Sequence, residues 1–168
     1  MRKEDFPSLS DGKLAYLDSG ASAQKPSAVI DAMSGVMQGG YANIHRGVYG
    51  WSQDLTLAYE NARGKVAMFL GVENKNEIIF TRNATESINL VAQSWGRTFL
   101  QEGDEIIISE MEHHANIVPW QLLKDQIGIV IKVIPVLDDA TLDMDAYKEL
   151  LSPRTKLVSI VHISNATG

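Results

Sequence analysis

The stretch 105-EIIISEMEHHANIVPWQ-121 joins a short apolar run to the start of a helical pattern, with two adjacent histidines where they meet. Its first five residues are typical of a buried strand, and residues 116–126 have the spacing of an amphipathic helix. A strand that leads directly into a helix is the repeating unit of a parallel sheet. The stretch therefore predicts one strand–helix unit, with His113 and His114 at the carboxyl end of its strand.

The same alternation continues on both sides of this unit. The predicted strands are 77–81, 105–109, 129–135 and 156–164, and the predicted helices between them are 85–100, 116–126 and 143–151. This order indicates an α/β protein with a parallel sheet covered by helices. Two helical patterns precede it: one follows Pro26 and stops at Gly39, and the other can be capped by Ser52 and ends at Gly71. 

The chain is therefore expected to divide into two parts. Residues 1–75 form an N-terminal segment with two helices and a loop rich in glycine and aromatic residues, and residues 76–168 form the sheet. The chain ends directly after a strong strand pattern with no helix to cover it, which suggests a piece of a longer protein.

The composition argues against several classes of function. The formal net charge is −6, which disfavours nonspecific binding to nucleic acid or to an anionic membrane. No apolar run of 18 residues occurs and the first 20 residues lack the order of a signal peptide, so a cytoplasmic protein is expected. The absence of cysteine excludes disulfides, thiolate-bound zinc and a thiol nucleophile from this chain.

Ligands of parallel sheets bind beyond the carboxyl ends of the strands, and three such ends carry polar residues. They are 81-TRNATES-87, 109-SEMEHHAN-116 and 162-HISNATG-168. At the first, Asn83 can cap the helix while the Glu86 side chain bonds back to the backbone of Asn83. The free N–H groups of that helix start could hold a phosphate, with the Thr85 hydroxyl beside them, or the turn could be a plain cap.

The histidine pair leaves several interpretations open. A metal site with Glu110 and Glu112 is one, although adjacent side chains diverge and no HExxH motif is present. One imidazole could instead lie on a planar ring, or simply be satisfied by local hydrogen bonds. At the third strand end, Asn165 could donate to a phenolate-like oxygen or hold a turn. His162, inside the predicted strand, is expected in the core.

Five blocks of sequence, taken in order, resemble the cysteine desulfurase/selenocysteine lyase family. They are 16-YLDSGASAQKP-26, 43-NIHRGVY-49, 81-TRNATESINLVAQSWG-96, 111-MEHHANIVPWQ-121 and 160-IVHISNATG-168. The HHANIVPWQ block is similar to the SufS-like branch. The resemblance implies a fold-type I, aspartate-aminotransferase-like large domain that binds pyridoxal 5'-phosphate (PLP), of which this chain would hold a truncated N-terminal part.

The resemblance also implies an activity and partners. A family member is a homodimer that removes sulfur from L-cysteine, or selenium from L-selenocysteine, and leaves L-alanine. It passes the sulfur to an acceptor of the SufE or SufU kind and serves iron–sulfur cluster assembly. Another class-V PLP enzyme, such as an aminotransferase or kynureninase, is the nearest alternative, and a noncatalytic folding or dimerisation domain is a further one.

Site residues follow from the resemblance position by position. Ala84 and Thr85 match the residues that bind the cofactor phosphate, and His113 matches the imidazole that stacks on the pyridine ring. Asn165 matches the asparagine beside the phenolic oxygen of the ring. His114 is then a structural neighbour of the stacking residue.

The substrate side of the site is implied in the same way. Ala21 lies in a segment near the substrate, and His45 and Arg46 match an active-site loop that approaches the site across the dimer. From the residues alone, Arg46 could receive a carboxylate bidentately or could merely pin the loop.

The groups that would perform desulfuration are missing from these 168 residues. The chemistry needs a Schiff-base lysine, an acid at the pyridine nitrogen and a thiol. None of the nine lysines lies in the SGHK-like context of the family, and there is no cysteine. The chain alone is therefore expected to be inactive and to bind PLP weakly.

Overall fold

The computed structural model describes residues 2–168, which form two compact units with a boundary between Phe80 and Thr81. The first unit contains the helices α1 (Ser27–Gly39) and α2 (Gly50–Leu70). The second contains, in chain order, α3 (Ala84–Val91), a π-helical turn (Ala92–Gly96), α4 (Arg97–Phe99), β1 (Glu105–Ser109), α5 (Val118–Ile127), β2 (Val130–Ile134), α6 (Met144–Leu150) and β3 (Thr155–Val158). Within residues 2–168, no helix is long and apolar enough to span a bilayer.

The ends of α2 follow the sequence only in part. Gly71 terminates the helix in a left-handed conformation, with φ of 70°, as its position predicts. The predicted cap, Ser52, is wrong: α2 begins at Gly50 after an extended Tyr49, and Ser52 lies inside the first turn. The Ser52 hydroxyl is fully buried and donates to the carbonyl oxygen of Asn43, because the preceding loop folds back onto the helix.

The strand predicted at 77–81 is not formed in the described chain. A 3₁₀ turn, Lys75–Glu77, takes its first position, and Ile78 continues in an extended conformation without a strand beside it. The carbonyl oxygen of Ile78 instead accepts a hydrogen bond from the Arg63 guanidinium at 3.3 Å. A β-branched run becomes a strand only where a neighbouring strand offers ladder partners, which its own sequence does not reveal.

The second unit is built on a three-stranded parallel sheet in the order β2-β1-β3. Glu105 pairs with Val130 and Ser109 with Ile134, so β1 and β2 are in register along their whole length. β1 is the central strand, and all five of its residues are buried. This confirms the predicted parallel α/β arrangement.

The last strand is shorter than its pattern predicts. β3 ends at Val158, and the chain then leaves the sheet, so His162 is exposed rather than in the core. The N–H of Ser159 still donates to the carbonyl oxygen of Ile107 in β1 at 2.8 Å. Two residues later, the N–H of Val161 is bound by the carboxylate of Glu112 at 2.8 Å and not by a strand. 

The core of the second unit lies between the sheet and the helices that precede and follow β1. Its buried members are Ala92, Leu100, Ile106, Ile108, Trp120, Leu123 and Ile129. Gly96 allows the closest approach, since a Cβ there would lie 2.8 Å from a methyl carbon of Leu123. Val91 and Phe99, on the helical segments before β1, are exposed and lie outside this core.

A buried carboxylate closes the amino end of β1. Glu105 is 2% exposed and lies 2.8 Å from the ammonium of Lys132, and it also accepts from the hydroxyls of Ser152 and Thr155. The hydrogen bond from Lys132, followed by that from Ser152, lowers the pKa of Glu105 to about 2. This ion pair ties β1 to β2 and to the start of β3, at the opposite end of the strand from the histidines.

Candidate functional site

The start of α3 has the form of an anion site. The Asn83 side chain caps the helix by accepting from the backbone N–H of Glu86 at 2.9 Å. Within the described chain, the N–H groups of Ala84 and Thr85 have no protein acceptor, and both residues are exposed. Free N–H groups at the positive end of a helix favour a negatively charged group.

The predicted reciprocal bond of this cap is wrong in one detail. The Glu86 carboxylate accepts from the backbone N–H of Arg82 at 2.7 Å, rather than from that of Asn83. It also lies 3.3 Å from the Arg82 guanidinium, so the same side chain fixes the approach to the helix by two contacts. The Glu86 carboxylate therefore binds Arg82, the residue before the cap, and not Asn83 itself.

His113 follows β1 by four residues and caps a short 3₁₀ turn, His114–Asn116. Its Nδ1 accepts from the backbone N–H of Ala115 at 3.1 Å, which fixes the ring and puts the proton of a neutral imidazole on Nε2. The ring is exposed, and the His114 ring stands nearly perpendicular to it at 6.1 Å between centroids. A fixed, exposed imidazole of this kind can cover one face of a planar ligand.

A buried hydrogen-bond network lies directly behind His113. The Glu112 carboxylate accepts from the Ser109 hydroxyl at 2.5 Å, from the Asn116 amide at 2.8 Å and from the N–H of Val161 at 2.8 Å. Asn116 also donates to the carbonyl oxygen of Ser159 at 3.0 Å. The loop after β1 and the segment after β3 are therefore joined through side chains.

The same network reaches α5 through the oxygen of the Asn116 amide. That oxygen accepts from the indole N–H of Trp120 at 2.9 Å and from the Ser159 hydroxyl at 2.7 Å. Sequence reasoning considered Glu112 only as a metal ligand and did not identify Asn116, Ser159 or Trp120. A carboxylate between a buried strand and a stacking histidine was the available signal, but its partner Val161 lies 49 residues away in the chain, and Ser159 lies 43 residues from Asn116.

Asn165 lies in the turn that ends the described chain. The buried Ser164 hydroxyl accepts from the N–H groups of Ala166 and Thr167, and the N–H of Gly168 donates to the Ser164 carbonyl oxygen. The Asn165 side chain is exposed. It follows Val161, the residue bound to Glu112, by four positions, so the network that supports His113 also holds the base of this segment.

The remaining predicted residues belong to the first unit. Ala21 is exposed in a turn, where its N–H donates to the carbonyl oxygen of Asp18. His45 has a positive φ of 69°, and its N–H donates to the Thr56 hydroxyl of α2 at 2.9 Å. Arg46 is exposed, and no carboxylate within residues 2–168 lies at ion-pair distance from it.

The His45 imidazole is supported by charged and aromatic neighbours on α2. Its Nε2 lies 3.6 Å from the Glu60 carboxylate, and its ring meets the edge of Tyr59 at 5.7 Å between centroids. Glu60 also binds the Lys75 ammonium at 2.9 Å, and this hydrogen bond, aided by the Arg63 charge, lowers the pKa of Glu60. The Glu60 carboxylate is therefore ionised at neutral pH.

The donor set of the second unit fits a planar, phosphorylated cofactor. It offers two unpaired backbone N–H groups and a hydroxyl at the start of α3, an exposed imidazole of fixed orientation, and an exposed amide. α3 and the 3₁₀ turn after His113 are in contact. For a metal ion the fit is poor, because Glu112 is saturated with donors and Glu110 accepts from the N–H of Val136. In the described residues no three His, Cys, Asp or Glu side chains are grouped to hold a metal ion.

The sequence of this chain is similar to a known protein family and to individual cysteine desulfurases. The model of the aminotransferase class-V family matches residues 15–168. A cysteine desulfurase from Pectobacterium atrosepticum is 49% identical over 99% of this chain, which spans 42% of the length of that relative. 

Two solved structures are similar over almost the whole chain. The cysteine desulfurase CsdA from Escherichia coli is 42% identical with a TM-score of 0.82, over 97% of this chain and 41% of that one. The apo structure of a cysteine desulfurase from Thermococcus onnurineus is 38% identical with a TM-score of 0.88, over 100% of this chain and 42% of that one.

Proposed function

The chain belongs to the aminotransferase class-V family, and we propose that the full-length protein is a PLP-dependent cysteine desulfurase that converts L-cysteine to L-alanine and a transferable sulfur. The observation that carries this proposal is similarity to cysteine desulfurases over 97–100% of the chain, through every segment that bears a candidate site residue. The chain spans about two fifths of the length of these relatives, so the activity is proposed for the whole protein.

PLP, when bound, supplies the electron sink that allows a bond next to the amino-acid Cα to break. The residues of this chain bind and orient it. The N–H groups of Ala84 and Thr85, with the Thr85 hydroxyl, bind the phosphate at the positive end of α3. The His113 imidazole covers one ring face and keeps water from it. The Asn165 amide donates to the phenolic oxygen of the ring.

On the substrate side, we assign binding roles to the first unit. Arg46 has the unpaired guanidinium that a substrate carboxylate requires, and a planar fork can bind that group bidentately. His45 is held beside it by Glu60 and Thr56. From the sequence resemblance, we assign Ala21 to substrate binding as well. Residues 1–75 would thus supply the active-site loop, and residues 76–168 the first part of the cofactor-binding domain.

From the sequence resemblance we also propose several finer features of the full-length protein. They are a SufS-like specificity, activity on L-selenocysteine, a SufE- or SufU-type sulfur acceptor, a homodimeric assembly, a role in iron–sulfur cluster assembly and a cytoplasmic location.

This chain by itself should be inactive. Its sequence has no cysteine to attack the substrate sulfur, and none of its nine lysines stands in the SGHK-like context described above. We therefore propose that the lysine and the thiol are supplied by a part of the protein outside these 168 residues. The phosphate-binding helix start and the stacking histidine are then the half of the site that this chain contributes.

The proposal is tested on protein purified from its natural source, by intact mass, visible absorbance with PLP and conversion of L-cysteine to L-alanine. A mass well above 18.5 kDa, a PLP band that borohydride reduces and alanine formation would support it. A His113→Ala variant should lose cofactor affinity, whereas His114→Ala, its exposed neighbour, serves as the matched control. A protein that binds PLP but transfers the amino group of L-cysteine to an added keto acid, without forming alanine and a transferable sulfur, would be an aminotransferase, and the desulfurase proposal would fail.

A further inference from the structure

One feature of the second unit has no assigned role: the nearly buried carboxylate of Glu112. Its side chain is 9% exposed, and its oxygens receive three hydrogen bonds from neutral donors. No Lys, Arg or His of the described chain lies at ion-pair distance from it. Buried carboxylates are costly to desolvate, so one held only by neutral groups calls for an explanation.

The three donors come from three different elements. Ser109 is the last residue of β1, Asn116 precedes α5, and Val161 lies in the segment that follows β3. Glu112 itself is the residue immediately before His113. The Glu112 side chain thus joins the residue next to the stacking imidazole to the segment that carries the Asn165 amide, alongside the two hydrogen bonds between Asn116 and Ser159.

We propose that Glu112 is a positioning residue, whose carboxylate holds His113 and the segment 159–165 at the separation that the cofactor ring requires. The inference rests on the proposed function for the identity of the ligand, PLP. The hydrogen bonds of Glu112 to Ser109, Asn116 and Val161, which we call the clamp, do not depend on that function. Neither Ala84 nor Thr85 takes part, so the phosphate end of the site is independent of it.

The donor geometry makes Glu112→Gln a sharp test. The Val161 N–H and the Asn116 amide both point at carboxylate oxygens, and neither can reverse its direction. Asn116 cannot flip, because its oxygen already accepts from Trp120 and Ser159. Glutamine has the same shape but replaces one oxygen with NH₂, so one of these donors must face another donor.

Glu105→Gln is the matched control. Glu105 is the other buried carboxylate of the described residues, it also accepts hydroxyl hydrogen bonds, and it lies at the opposite end of β1 from Glu112. The substitution should weaken the same sheet without touching His113 or the segment 159–165. Any effect common to both variants is therefore an effect of stability, and only the difference between them reports positioning.

The first measurement is amide hydrogen exchange of the full-length protein freed of cofactor, resolved by peptide. With Glu112→Gln, peptides covering 110–117 and 159–165 should both exchange faster, by roughly tenfold or more for Val161, the change that about 1.4 kcal/mol produces. With Glu105→Gln, these two peptides should be protected as in the parent protein. If the two segments stay protected in Glu112→Gln, or open equally in both variants, the clamp is refuted.

The second measurement is the Kd for PLP, with the visible circular dichroism of the bound cofactor. Glu112→Gln should raise the Kd roughly tenfold or more and weaken the dichroic band, while Glu105→Gln changes neither. If the Kd and the dichroic band are unchanged in Glu112→Gln, the positioning role is overturned, even when both segments exchange faster in that variant. If the parent protein binds no PLP but both segments exchange faster in Glu112→Gln, the proposed function is refuted and the clamp is supported.

Should Glu112→Gln fail to fold, Ser159→Ala carries the same test. It removes one donor to the Asn116 oxygen and leaves the carboxylate intact. The Asn116 end of the network is then loosened, so exchange should rise in both segments together and the Kd should increase by a smaller factor. Exchange confined to one of the two segments would overturn the proposal.

Discussion

Replacing Gly47 with alanine should detach the loop that carries His45 and Arg46 from helix α2. A Cβ built on Gly47 lies 2.2 Å from the Ser52 hydroxyl oxygen, where ordinary contact needs 3.4 Å or more. The loop must therefore move by about 1.2 Å, because Ser52 is fully buried in the first turn of the helix and has no room to yield. The backbone φ of Gly47 is not in the left-handed region, so the expected effect is purely steric.

The magnitude follows from the two ways in which the structure can relax. If the loop stays in place, the overlap costs about 1–3 kcal/mol, as overpacking usually does. If the loop lifts, the Ser52 hydroxyl loses its hydrogen bond to the Asn43 carbonyl oxygen, and a buried polar group without a partner also costs about 1–3 kcal/mol. Either route gives the same expected loss in the free energy of unfolding.

Gly50→Ala is the control. Gly50 lies three residues further on, at the first position of α2, and a Cβ there meets nothing within 4 Å. Its free energy of unfolding should change by no more than about 0.5 kcal/mol. Urea unfolding followed by helical circular dichroism measures both variants, and hydrogen exchange of residues 43–49 locates the effect. If Gly47→Ala proves as stable as Gly50→Ala, with an unchanged loop, the packing argument is refuted.

Three further predictions concern stability. The pKa of Glu105 in the folded protein is about 2, below its ordinary value of 4.5. Its carboxylate therefore contributes stability that is fully present above pH 4.5 and is lost as the pH falls towards 2. Glu105→Gln should flatten this part of the pH profile of the free energy of unfolding, measured by urea unfolding. Asn83→Ala removes the side-chain cap of α3 and should cost about 1 kcal/mol in the same assay, whereas Asn83→Asp, which can still accept, should cost much less. Gly64→Ala, in the middle of α2 with open space around the new methyl group, should raise the free energy of unfolding by about 0.5–1 kcal/mol, and a destabilised variant would contradict the helix-propensity argument.

The parts of the fold that the sequence predicts well are those decided by neighbouring residues. β1 occupies residues 105–109 as predicted, where a short apolar, β-branched run begins just after the turn at Gly103. The ends of α1 and α2 at Gly39 and near Gly71 follow from glycine at the helix C-termini. The cap of α3 by Asn83 is equally local, since donor and acceptor are three residues apart.

The parts that the sequence misses depend on residues far away in the chain. Residues 77–81 have strand character but no strand to pair with in the described chain. His162 lies inside the predicted strand 156–164, but the backbone leaves the sheet before it. The reason is that Glu112, about 50 residues earlier, binds the N–H of Val161. The network behind His113 could not be predicted for the same reason: each side chain is ordinary, and only the tertiary fold brings them together.

The sheet order β2-β1-β3 sets the order in which the strands can pair while the protein is being made. The central strand, Glu105–Ser109, is synthesised first, and the last residue of its second neighbour, Val158, follows roughly 50 residues later. At ribosomal rates of about 5–20 residues per second, β1 spends several seconds with at least one open edge. The central, fully buried strand of this unit is therefore made first but keeps an unpaired edge until β3 is complete, which makes it a target for a chaperone that shields nascent strands.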